Sequence, residues 1–523
     1  MDLLTSILLL IVTSVLYFYW SLKKAHRFFE DRGIPYLEPH WLFGNMGDVI
    51  MMKKSLGEKY AEFYNKLAPH GFGGIFTMKK PAIVIRDPDL IRHVLIKDFA
   101  FFTDRGINIV KEIDPLSNSL FSMKGDEWKN LRIKLTSTFT SGKMKMMFPL
   151  VKHCGERLSQ IIDEVPDNET FDVKDLFARF TTDTIGNCAF GIETNSLNNP
   201  DSEFRIMGKK IFSYRLAAVI RTLWPTMPKT LIKMFNLTFF DKHTQEYFID
   251  IVDKTIKYRE KNNITRNDFL DLLIALKNNT TLQKFKVSSA ENEDLQKFLQ
   301  QTGGKCVKSD VDMTNDLLAA QAFVFFTAGF EATSIALGFA FLELSLNKSI
   351  QDRARQEILD VLSSNDGKLT YEALKQMTYV DMIIDETLRK YPSAARLPRV
   401  TNKNYAIPNT KVIIPAHTSI IISVYGLHSD EKYYDNPNEF RPERFTEEEK
   451  AKRPNFAYLP FGDGPRVCIA ERFAKMQVKV GLVHALKNFS YQKSPKMKFP
   501  IEFNKSFGLL SPKDPILLQK IKL

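Results

Sequence analysis

The stretch from Asp316 to Leu346 constrains the fold more than any other part of the chain. It is helix-prone and apolar nearly all round, so it has to be enclosed on every side, by lipid or by protein. Gln321, Glu331, Thr333, Ser334 and Glu343 interrupt it. An acidic group at mid-membrane costs at least ~2.5 kcal/mol, which favours the protein interior. The expectation is a central helix inside one large, mostly helical body.

A second apolar run, Leu3 to Trp20, carries no charge and is long enough to cross a ~30 Å hydrocarbon layer. Asp2 precedes it, and Lys23, Lys24 and Arg27 follow. By the positive-inside rule the N-terminus lies outside and the body in the cytosol. Tyr17, Tyr19 and Trp20 stand where an interfacial belt would be. There is no cationic start and no convincing small-residue cleavage site, which argues against a cleaved signal peptide. The expected plan is a transmembrane anchor over residues 1–22, a basic, proline-containing hinge over 23–50, and one large body over 51–523.

Within the body, Phe148 to Val165 and Tyr247 to Lys261 show helical spacing. Strand-like sequence is scarcer: Ala82 to Arg86, Lys411 to Pro415 and Ser419 to Val424. The polar stretch Lys277 to Asn315 reads as a long surface connection. The fold class is therefore mainly α with small β-sheets.

Charge narrows the partners. With 73 Lys+Arg against 61 Asp+Glu the net charge is +12, which suits anionic lipid or an acidic protein face. The cations are spread along the chain, without finger spacing, basic zipper or RNA-binding signature, so nucleic acid is not an expected partner. Cys154, Cys188, Cys306 and Cys468 are the 4 cysteines. They form no CxxC pair, so neither a zinc site nor a disulfide framework is suggested.

Cys468 stands apart. It follows Pro460-Phe461-Gly462-Asp463-Gly464-Pro465-Arg466-Val467 and precedes a helix-prone run to Leu486. Glycine and proline give a tight turn, and free N–H groups at a helix start stabilise a thiolate. Arg466 adds a nearby cation. Thiolate ligation of haem iron is one chemistry that needs this setting.

This segment resembles the cysteine-ligand loop of the cytochrome P-450 family, with Phe461, Gly464, Arg466 and Cys468 in register. Glu386-Thr387-Leu388-Arg389 resembles the family's ExxR element, with Arg444 of Pro442-Glu443-Arg444-Phe445 as the third charge of a structural triad. Trp128 and Arg132 resemble its WxxxR pair. The resemblance covers almost the whole chain. It is nearest to microsomal insect family 6 members through Phe139 to Met144, Cys188 to Gly191 and Val424 to His428.

The resemblance implies haem b with Cys468 as the axial ligand. Trp128, Arg132, Arg399, Phe461 and Arg466 would contact the cofactor, the arginines reaching its propionates. It also implies insertion of one atom of O2 into a lipophilic small molecule, xenobiotic or endogenous. Electrons would come from NADPH through NADPH-cytochrome reductase, with cytochrome b5 as a second donor. The location implied is the endoplasmic reticulum membrane, catalytic body on the cytosolic face. Leu120, Phe121, Phe326, Thr327, Ala328, Ala394, Ala395 and Leu509 are substrate contacts by family position, and Ile211 to Phe240 a membrane-facing entrance.

Two departures from the family pattern stand out. The AGx(D/E)T element reads Ala328-Gly329-Phe330-Glu331-Ala332-Thr333. Glu331 keeps the acid of the proton relay, but the usual threonine position holds Ala332. Thr333 lies about 100° round the helix, so it serves as a catalytic hydroxyl only where the helix is bulged. Ala470 replaces a usual glycine, a change tolerable at negative φ. A haem-thiolate isomerase or dehydratase, needing no relay threonine and no reductase, is the alternative activity. A non-catalytic haem-binding membrane protein is the other alternative.

Overall fold

The computed structural model describes residues 3–68, 70–213, 227–278, 293–302, 311–505 and 508–523. Helices dominate, and the sheets are small. The central helix runs unbroken from Asn315 to Leu346, started by the Thr314 hydroxyl accepting the Leu317 N–H. Its polar interruptions are answered by other parts of the body. Gln321 accepts from the Leu120 N–H at 2.9 Å, and Glu343 accepts from the Tyr391 hydroxyl at 2.5 Å and from Lys390 at 2.8 Å. These bonds distinguish a buried protein helix from a membrane span, where such groups would lack partners.

The helix Val173–Ile185 packs along the central helix. Phe177 meets Phe341 at 4.8 Å between ring centroids, and the Thr181 hydroxyl donates to the Phe330 carbonyl at 2.9 Å. Gly329 and Gly338 permit the approach: a Cβ at either would press on Ile185 or Lys174. On another side lies the helix Glu471–Leu486, where Phe473 meets Phe325 at 5.0 Å.

The larger sheet has the order 72–77, 80–85, 419–423, 396–400. Its middle pair is parallel, with Ala82 opposite Ser419 and Ile85 opposite Ile422; the outer pairs are antiparallel. The strand Arg396–Val400 carries Arg399 opposite Ile420. A second sheet joins 170–172, 517–522 and 489–493.

Several boundaries differ from expectation. The helix expected from Phe148 begins earlier, at Ser141, with Pro149 inside its first half. Lys411 to Pro415 contributes only the two-residue strand Ile413–Ile414. Val424 opens the short helix Val424–His428 instead of ending a strand, because the Ser423 hydroxyl caps it. The stretch Lys277 to Asn315 is not all surface connection. Its residues 279–292 and 303–310 lie outside the described residues, but Glu293–Gln301 is a helix whose Phe298 is buried against Trp128 at 5.8 Å. An apolar pair in a polar segment was the missed signal. Of Ile211 to Phe240, residues 214–226 lie outside the described residues.

The apolar N-terminal helix runs from Leu3 to His26, beyond the residue 22 boundary, and its side chains from Leu3 to Trp20 are largely exposed.

Candidate functional site

Cys468 lies in the turn before the helix Glu471–Leu486, not in its first turn. Gly462 and Gly464 take φ of +73° and +72°, a region closed to most side chains. Gly464 also sits on the Leu95 carbonyl, where a Cβ would not fit. The Cys468 N–H donates to the Phe461 carbonyl at 3.0 Å, closing the loop. Ala470 has φ −101°, so its methyl is accommodated without strain.

The Cys468 side chain is surrounded by protein yet has open surface, which places it on the wall of an interior space. Burial pushes the thiol pKa up; the Ala470 N–H and the Arg132 guanidinium pull it down. Cys154 and Cys188, by contrast, are fully enclosed in the core. Only Cys468, among the cysteines of the described residues, offers its sulfur to a ligand.

Around it gather four guanidiniums: Arg105, Arg132, Arg399 and Arg466. Arg132, Arg399 and Arg466 are nearly inaccessible, at 8%, 2% and 3% exposure. Among the described residues only Asp104, 3.9 Å from Arg466, brings a carboxylate within 4 Å of any of them, and Asp294 acts on Arg132 from farther off. Burial pushes all four pKa values down, and the Arg105 and Arg399 charges push Arg466 further. A guanidinium stays charged regardless, so the cluster is an unmet demand for negative charge.

The four are not equivalent. Arg466 is spent within the protein: it stacks over Trp128 at 3.7 Å and donates to the carbonyls of Thr103, Leu120 and Met123. Arg132 donates once, to Val467 at 3.0 Å, and Arg399 once, to its neighbour Pro398 at 2.8 Å. Among the described residues the Nε of each has no acceptor. Arg105 donates to the Phe121 and Arg466 carbonyls. It carries no motif of its own and escaped the sequence reading; only its place in the fold reveals it.

A haem b molecule would bring two propionates, an iron wanting an axial thiolate, and a broad apolar face. Guanidiniums with little counter-charge, an open thiol and a small-residue helix surface fit all three requirements. The helix surface is the stripe Val324, Ala328 and Ala332, open or half-open on a largely buried helix. Contact between Phe325 and Phe473 brings that stripe to the region of the cysteine turn.

Glu331 lies beside the stripe, and its Oε1 accepts from Lys174 at 2.7 Å. Thr333 does not join it. The central helix has no bulge, and Thr333 is 4% exposed, turned 100° or more from the stripe. The route by which Thr333 could replace Ala332 is therefore absent. The Ser393 hydroxyl donates to the Ala332 carbonyl at 3.1 Å.

The expected substrate contacts divide. Ala328 is open, Thr327 is half-buried, and Ala394 bridges to Leu509 with both half-buried. Phe121 is half-exposed beneath Arg105 at 4.4 Å, and Leu120 is nearly closed. Phe326 and Ala395 do not face the interior space. Phe326 is fully buried among Phe190, Phe204, Phe248 and Phe330, and Ala395 packs on Gly57. Core packing took these two, as it takes most apolar side chains.

Glu386, Arg389 and Arg444 lie together in the interior. Arg389 and Glu386 are fully buried and joined by bonds of 2.7 and 2.9 Å, and the Arg444 Nε is 3.4 Å from Glu386. His428 adds a link that the spacing did not reveal. Its carbonyl accepts from Arg389 at 3.0 Å, and its Nε2 accepts from the Leu459 N–H at 2.8 Å. Burial and the Arg389 charge push its pKa down to about 3, so the ring stays neutral and able to accept. The triad is thereby tied to the chain just before Phe461.

The comparisons agree with this geometry. The Cytochrome P450 family model matches residues 34–519. Probable cytochrome P450 6a18 of Drosophila melanogaster is 42% identical over 510 residues, covering 96% of this chain and 95% of the relative. Cytochrome P450 6k1 of Blattella germanica is 39% identical, with 97% and 94% covered. Cytochrome P450 6a8 of Drosophila melanogaster is also 39% identical, with 96% of each covered. With near-complete coverage and this level of identity, the chain belongs to the cytochrome P450 family of haem-thiolate monooxygenases, alongside insect members of its family 6.

Proposed function

We propose that the protein inserts one oxygen atom of O2 into a lipophilic small molecule, xenobiotic or endogenous, with electrons passed from NADPH by a flavoprotein reductase. Cytochrome b5 would be a second electron donor. The helix Leu3–His26 spans the endoplasmic reticulum membrane and leaves the body on the cytosolic face; its exposed apolar side chains and the cations after it support this. The observation that carries the reading is an open thiol on an interior wall, ringed by four guanidiniums with a single carboxylate within 4 Å among the described residues.

When bound, haem would supply the oxygen-activating chemistry, with a thiolate as its electron-donating ligand. The chain's residues do the rest. Cys468 would hold the iron, and Arg105, Arg132 and Arg399 would hold the propionates through charge-assisted hydrogen bonds. Arg466 braces the loop that presents the sulfur. The small side chain of Ala328 leaves room beside the central helix, and the apolar surroundings exclude water. Glu331, anchored by Lys174 within a part-buried pair, hands protons inward. Without a hydroxyl at Ala332, bound water or the substrate carries the last hydrogen bond.

Two outcomes follow. Arg399→Gln removes a buried donor set and is expected to weaken haem retention by about tenfold, or ~1.4 kcal/mol, read as faster haem transfer to apomyoglobin. Ala332→Thr is expected to lower the peroxide released per NADPH consumed; an unchanged yield counts against the role given to this position.

The missing relay hydroxyl also favours a second reading, a haem-thiolate isomerase or dehydratase. Turnover of lipophilic substrates in membranes containing reductase separates the two. NADPH-dependent oxygen consumption coupled to product supports the monooxygenase. Product formed from a peroxide substrate without NADPH supports the alternative.

A further inference from the structure

Two guanidiniums of the triad share one carboxylate. Arg389 takes both oxygens of Glu386, and the Arg444 Nε reaches Glu386 only at 3.4 Å, without a hydrogen bond. Arg444 is otherwise met by Asp435 at 2.8 Å, which also accepts from Arg441 at 2.7 and 2.9 Å. Asp435 is exposed, so water screens it. The triad thus holds two positive charges against one negative, and leans on a weak counter-charge at its outer wall.

A cleft of about 170 Å³ opens on that wall, where Arg441, Arg444, Lys452 and Arg453 face Asp435 and Glu449. Four cations therefore meet two carboxylates. Lys452 pairs with Glu449 at the exposed rim at 2.5 Å, and Glu439 comes only within 4.0 Å of Arg444. Arg453 is the member with no such partner: among the described residues no carboxylate lies within 4 Å of it. Its guanidinium is instead held by two aromatic rings, 5.0 Å from the centroid of Tyr434 and 4.8 Å from that of Phe445. Stacking of this kind fixes the guanidinium plane and leaves its N–H edge free to donate. Arg389 also lies over the Tyr434 ring, at 5.2 Å, so that ring is shared between the cleft and the triad.

We propose that this cleft binds a small oxoanion of the phosphate class, held by Arg453, Arg441 and Lys452. Planar, fixed guanidinium forks match the oxygens of such an ion through charge-assisted hydrogen bonds. The cleft admits an ion of phosphate size and leaves the organic part of a phosphate ester outside. The bound ion adds the negative charge that Glu386 divides between two arginines. Because it binds the folded chain, where these side chains are gathered, its occupancy stabilises the triad by mass action. The site is separate from the interior space at Cys468, and its action does not depend on which molecule is oxidised or what donates the electrons.

The test uses the full-length haem protein in phosphatidylcholine nanodiscs, in Tris chloride at constant ionic strength. Inorganic phosphate is expected to give a saturable heat of binding and to raise the midpoint for thermal loss of the Soret band by several degrees. Chloride at equal ionic strength should do neither. Arg453→Gln should weaken phosphate binding by about tenfold, and Arg453→Lys should recover part of it. Where Arg453→Gln takes up no haem, Lys452→Gln at the exposed rim replaces it, with a several-fold weakening expected. No saturable binding to the unaltered protein, or an unchanged phosphate affinity in the folded variant, overturns the proposal. Two sources of the ion are told apart by phenyl phosphate. Tighter binding than inorganic phosphate assigns the site to an ester, weaker binding assigns it to the free ion, and both support an oxoanion site.

Discussion

Replacing Glu386 by alanine is expected to destabilise the protein by about 3–5 kcal/mol, because it leaves buried guanidiniums without their counter-charge. Glu386 and Arg389 have no exposed surface, and Arg444 is 2% exposed. Glu386 accepts two bonds from Arg389 and one from the Arg441 N–H at 2.9 Å. With it gone, Arg389 keeps only the carbonyls of His428, Pro437 and Glu439. Arg444 retains Asp435, whose side chain is 65% exposed and therefore a solvent-screened, weaker counter-charge. Marginal stabilities of 5–15 kcal/mol leave little after such a loss. The expected result is a severe fall in folded, haem-containing protein and a lower urea midpoint for what remains. A midpoint like that of the unaltered protein would mean that the pair contributes little.

Gly464→Ala acts at the other end of the same region and should act locally. The new methyl meets two penalties: left-handed backbone at φ +72° and the Leu95 carbonyl occupying its place. The backbone term alone is about 1–2 kcal/mol, and the clash forces the turn to move. The cysteine turn is then displaced while the central helix and sheets persist. Expected are near-normal helical content by circular dichroism and a large loss of haem per chain. Gly462→Ala supplies the control. Its φ is +73°, but its nearest neighbour is Leu397 at 3.5 Å, ordinary contact, so only the backbone term applies. Equal haem content in both variants would contradict this distinction.

Much of this site is legible in the sequence because its parts are set by short-range chemistry. Gly464 needs positive φ, Cys468 needs a turn, and Glu386 and Arg389 need one helix face. The central helix is legible because few enclosures suit so apolar a run. What could not be read depends on distant contacts. Arg105 gains meaning only when the fold gathers it with Arg132 and Arg399. Lys174 reaches Glu331 across a helix pair, 157 positions apart in the chain. Phe326 and Ala395 look like pocket residues by position, yet packing against Phe204 and Gly57 claims them. The place of Thr333 depends on whether the central helix is bulged, which residue types alone do not fix.

The most direct test is the reduced carbon-monoxide difference spectrum of the membrane-expressed protein, recorded beside Cys468→Ser. A strongly red-shifted Soret band, lost in the variant while the chain remains folded, is the predicted result and establishes thiolate-ligated haem at Cys468. A folded, haem-replete protein without that band, or a band that survives in Cys468→Ser, would contradict it.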